Sequence, residues 1–67
     1  MTDLDFWAQR LNDHLADTQQ HTTQAHAHAQ QGHVWDVIRD TAAAVAAATL
    51  AHETARQWRQ AHRQGTS

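Results

Sequence analysis

Between Thr41 and Ala51 the chain reads Thr-Ala-Ala-Ala-Val-Ala-Ala-Ala-Thr-Leu-Ala, with no charge, no Gly and no Pro. Ala loses no side-chain entropy in a helix and is the best helix former. A strand or loop is therefore a poor home for this stretch. A helix that is apolar on every side is ordinarily covered on every side. The run is too short to cross a bilayer, which takes about 20 apolar residues. It predicts the middle of a helix with neighbours on more than one face.

The chain is too small to supply all those neighbours. At 67 residues it makes one domain. Of its hydrophobic residues, 14 are Ala and 13 are larger. Burying one larger side chain contributes about 1.5–3 kcal/mol, while ordering a residue costs roughly 1.5 kcal/mol. Without Cys there is no disulfide or thiolate site to make up the difference. Self-association is the simplest remedy.

Helix periodicity runs from the start. Thr2 or Asp3 suits an N-cap, and Asp3 and Asp5 sit where a helix end is partially positive. Three heptad lines follow: Leu4, Leu11, Thr18 and Ala25; Trp7, His14, His21 and His28; Ala8, Leu15, Thr22 and Ala29. The stripe weakens after Leu15, and the polar segment Gln19 to Gln24 is a candidate break. Gly32 stands where a helix C′ residue would, in the left-handed conformation Gly tolerates. Beyond it the apolar face jumps to Val34, Ile38, Thr41, Val45, Ala48, His52 and Ala55. The expectation is all-α: a two-helix antiparallel hairpin, with a helix over about 2–31, a turn at Gly32, a helix over about 33–64 and a frayed tail over 65–67.

Folding the helices about Gly32 puts residues whose numbers add to about 65 at one level, since both rise about 1.5 Å per residue. Trp7 then meets Trp58, Leu15 meets Leu50, Leu11 faces Thr54, and Thr18 and Thr22 face Ala47 and Ala44. A lone hairpin leaves half of each helix wet, so two copies are expected to pair into a four-helix bundle. The interface residues are Trp7, Leu11, Leu15, Trp35, Ile38, Val45, Leu50 and Trp58. Trp anchors a core or dimer interface by default; an exposed Trp35 beside the turn would instead mark a partner-binding hot spot.

Seven His residues are the chief compositional oddity. His14, His21 and His28 lie about 10 Å apart along a helix, too far for one ion. The pairing available between helices is His14 with His52, a candidate for metal binding or pH sensing, although half-buried, hydrogen-bonded histidines are the simpler reading. Arg56, Arg59 and Arg63 share one face near the end. They suit ion pairs with Asp3 and Asp5 and the helix C-terminus; alternatively they hold phosphate while Trp58 stacks on a base.

Net charge is −2 with His neutral, so no global field draws nucleic acid or anionic membrane. There is no Cys, Lys or Tyr, the only Ser is Ser67, the only Glu is Glu53, and no Gly-rich phosphate loop is present. These absences point away from catalysis, and no cofactor is implied. No apolar run resembling a signal peptide follows Met1, so the chain reads as cytoplasmic. The expected function is a small accessory or regulatory protein: a self-associating hairpin that presents one helix face to a larger protein partner. A nucleic-acid-binding dimer using the Arg face is the alternative.

Overall fold

The computed structural model describes residues 3–65. The capping role read for Thr2, the side chain of Asp3 with its expected ion pairs, and tail residues 66–67 lie outside that description. Two helices make up the fold: α1, Asp3–Gln30, and α2, Val34–Gly65. Gly65 is thus the last residue of α2, where a frayed tail was expected to begin. No strand occurs among the described residues, and neither helix is long and apolar enough to cross a membrane.

The turn is built as Gly32 predicts. Gly32 has φ +76°. Its N–H donates to the Ala29 carbonyl at 3.1 Å, and the His33 N–H reaches back to the His28 carbonyl at 2.9 Å. This pair of bonds, six residues to one and five to two, is a Schellman ending. His33 then opens α2 at once, its carbonyl accepting from the Val37 N–H at 3.0 Å. With so few residues in the connection, the helices must run antiparallel side by side.

Segment Gln19 to Gln24 does not break α1. Gln is a good helix former, and the threonines tie their hydroxyls into the helix. Thr18 Oγ1 donates to the His14 carbonyl at 2.9 Å and Thr22 Oγ1 to the Thr18 carbonyl at 2.8 Å.

The seam between the helices follows a strict heptad alternation on both sides. On α1 it comprises Trp7, Leu11, His14, Thr18, His21, Ala25 and His28; on α2, Val37, Asp40, Ala44, Ala47, Ala51, Thr54 and Trp58, all buried or half-buried. Spacing of four and three keeps one narrow line facing a partner helix, as in a coiled coil. Larger residues of one helix lie level with small ones of the other: the rings of His14 and His21 with Ala44, Ala47, Ala51 and Thr54. Among the described residues the buried positions are Ala25, Asp40, Ala47, Ala51 and Thr54, none larger than Asp or Thr.

This seam corrects the expected α2 stripe. Val34, Ile38 and Val45 were read as facing α1, but they are exposed. Apolarity alone picked the wrong line, because the imidazoles of α1 need Ala opposite them rather than Val or Ile. The level pairing of Leu15 with Leu50 fails for the same reason: both are exposed, on opposite flanks of the seam. The Ala run is covered on one side only, with Ala47 and Ala51 buried and Ala42, Ala46 and Ala48 open.

Candidate functional site

Most of the exposed larger aliphatic side chains lie on one flank of the hairpin, whereas Leu11 and Val37 are in the seam. On α2, Val34, Ile38 and Val45 repeat at four and seven, one line about a quarter-turn or more from the seam. Val45 is 66% exposed and Val34 63%. On α1, Leu15 is exposed on the same side, and Leu4, one heptad before the seam residue Leu11, is exposed where the seam opens at its end. Leu4 shares an open groove with Ala55, Trp58, Arg59 and His62. Arg59 continues the heptad line of Val45 and His52, so Leu4 borders the same flank of the hairpin.

Thr41, between Ile38 and Val45, extends this flank. Its hydroxyl donates to the Val37 carbonyl at 2.8 Å and the Ile38 carbonyl at 3.0 Å. Thr49 does the same to Val45 at 2.8 Å. The hydroxyls of Thr22, Thr41 and Thr49 are thus all bound within their own helices. From Val34 to His52 the flank line carries no formally charged residue.

The opposite flank differs in kind. It bears Asp13, Asp17, Asp36 and Arg39, and Arg39 Nη2 lies 2.9 Å from Asp36 Oδ1. Its aromatic residue, Phe6, makes an edge-on contact with Trp7 at 5.2 Å and lies beneath Arg10, 6.0 Å from the ring centre. Leu50 stands on this side.

Of the other interface residues, Trp7, Leu11 and Trp58 are half-buried at the seam. Trp35, beside the turn and pointing away from α1, is 83% exposed, the condition set for a hot spot rather than a core anchor. Arg56, Arg59 and Arg63 are exposed, and Arg56 Nη1 lies 3.6 Å from Glu53 Oε1. His14 is half-buried in the seam, whereas His52 is exposed.

The histidine chemistry gathers at the turn instead. His28 Nδ1 lies 2.5 Å from Asp40 Oδ2, and Asp40 is only 5% exposed. An ionised carboxylate only accepts, so the imidazole donates from Nδ1. The Schellman bond from His33 to His28 brings their rings to 6.0 Å between centres. Asp36, three residues after His33, points Oδ2 to within 3.8 Å of His33 Nδ1. Within the seam, His21 Nδ1 is buried with no hydrogen-bond partner among the described residues.

Sequence reasoning missed Asp40. The signal was present: Asp40 lies on the heptad line through Ala47 and Thr54, where a charge needs a partner, and His28 is the polar seam residue of α1 near its level. Compared with protein-family models, with curated proteins and with solved structures, the chain matches none.

Proposed function

We propose that this protein is a non-catalytic interaction module, a helical hairpin whose occupant for the bare flank is a second copy of itself. The observation that carries this is the distribution of side chains. Small residues and imidazoles fill the middle of the seam, with Trp7, Leu11, Val37 and Trp58 only half-buried, while Leu4, Leu15, Val34, Ile38 and Val45 are left exposed.

The hairpin is a single layer, with backbone extents of 53 × 18 × 11 Å. Stable domains pack at least two layers around a core. A folded monomer of 7.6 kDa has about 4,300 Å² of surface by the usual scaling, and this chain exposes 5264 Å². The excess is comparable to the roughly 800 Å² per partner hidden in a standard interface.

A four-helix bundle of two hairpins, flank on flank, supplies the missing layer. Arg56, Arg59 and Arg63 favour a two-fold axis across the helices over one along them. The transverse axis sends the two Arg groups to opposite ends of the rod; the longitudinal one crowds six cations together. Trp35 stays outside the flank and anchors the larger partner that an accessory protein serves.

Sedimentation over a range of concentrations tests the reading. The expected result is a species of twice 7.6 kDa at micromolar concentration, with a melting temperature that rises with concentration. A chain-sized species that melts cooperatively would overturn it. So would a monomer that binds DNA or RNA with affinity falling steeply in salt, the mark of phosphate contacts by the Arg face.

A further inference from the structure

We propose that His28, His33 and Asp36 form a binding site for a divalent transition-metal ion of the zinc class, a clip across the turn, with Asp40 orienting His28. One ligand atom from each of the three lies within 4.8 Å of the others. Backbone geometry sets their meeting. His28 and His33 are the two ends of the six-to-one Schellman bond, and Asp36 is three residues beyond the residue that opens α2, where side chains face back towards the cap.

The chemistry of the donors suits the ion. Two imidazoles and a carboxylate are a common zinc set with a fourth position left for water. The bond from His28 Nδ1 to Asp40 leaves Nε2 as the ligand, a carboxylate–histidine arrangement that fixes tautomer and ring direction. On Asp36, Arg39 takes Oδ1 while Oδ2 faces His33. A tetrahedral zinc with bonds near 2.05 Å needs donors about 3.4 Å apart. The contraction falls to His33, whose side chain is 55% exposed, and to Asp36, at 38%. Both rotate without disturbing the seam, and both give the ion a way in. The site lies within one chain and does not depend on the dimer.

The test titrates zinc chloride into the metal-stripped full chain, followed by calorimetry, thermal melting and sedimentation. One ion per chain is expected, with a melting temperature raised by about 10–20 °C at about a hundred-fold excess over Kd. His33→Ala, at an exposed position, and Asp36→Asn, at a half-buried position outside the seam, leave the fold intact and weaken zinc at least about tenfold. Asp40→Asn, measured below its own melting temperature, weakens it about tenfold or more. A His14→Ala/His52→Ala variant binds like the wild type. No thermal shift at millimolar zinc would overturn the proposal. So would His33→Ala binding as tightly as wild type, loss of binding in the His14/His52 variant, or a zinc-driven rise in mass, which would mean bridging between chains.

Discussion

The seam and the bare flank are both heptad lines along the same two helices, yet they hold opposite inventories. The middle of the seam contains Ala, Thr, His and one buried Asp, with Trp7, Leu11, Val37 and Trp58 half-buried towards its ends; the flank exposes Leu, Val and Ile. A buried Ala contributes far less than a buried Leu or Val, so in its middle the hairpin covers the weaker line and leaves the stronger one open. The difference lies in reach. Small residues let two tethered helices approach closely, and the imidazoles of α1 fill the space Ala leaves. Bulky aliphatics on a flat flank suit an encounter with a second surface of the same kind.

Substitutions at adjacent positions break this comparison most sharply. Val45 is on the flank, whereas Ala46 points away from both flank and seam. Val45→Asp buries an unpaired charge twice in a dimer and is expected to cost about 3 kcal/mol or more. Ala46→Asp stays within about 0.5 kcal/mol. Urea denaturation at fixed concentration measures both, and equal effects would dissolve the distinction between flank and solvent face.

Overpacking the seam comes next. Ala51→Leu wedges the helices apart and is expected to cost about 1–3 kcal/mol despite adding apolar volume; a stabilised variant would show that the seam has room for large residues. Asp40→Asn keeps the shape but weakens the charge-assisted bond to His28, for an expected loss of about 1–2 kcal/mol by the same measurement.

Gly32→Ala carries a smaller cost, about 1 kcal/mol. A Cβ there meets nothing within 4 Å, so only the positive φ resists it. Trp35→Ala has the least effect, within about 0.5 kcal/mol by thermal melting, because so exposed a side chain stabilises little within its own chain.

Much of the fold was legible in the residues. Gly32 marked the turn because helices end on a residue that accepts positive φ, and the Arg and Asp distribution marked helix polarity. The two-helix count followed from the jump in apolar phase at that Gly. What escaped was which α2 line meets α1. Val34, Ile38 and Val45 outrank Ala44, Ala47 and Ala51 on any hydrophobicity scale, and such ranking ignores what stands opposite. His28 and Asp40 escaped with it, since their pairing appears only once the seam is drawn through Asp40. His33 and Asp36 met for a different reason: the Schellman turn, rather than any spacing along one helix, aims their side chains together.

Local preference was therefore enough to determine two helices, their ends and their antiparallel course, because propensity, capping and a left-handed Gly act within a few residues. The tertiary structure alone decided which faces touch and which stay bare. That choice depends on the fit of side-chain volumes between helices distant in sequence, and on giving a buried carboxylate its imidazole. Neither quantity belongs to one helix read by itself.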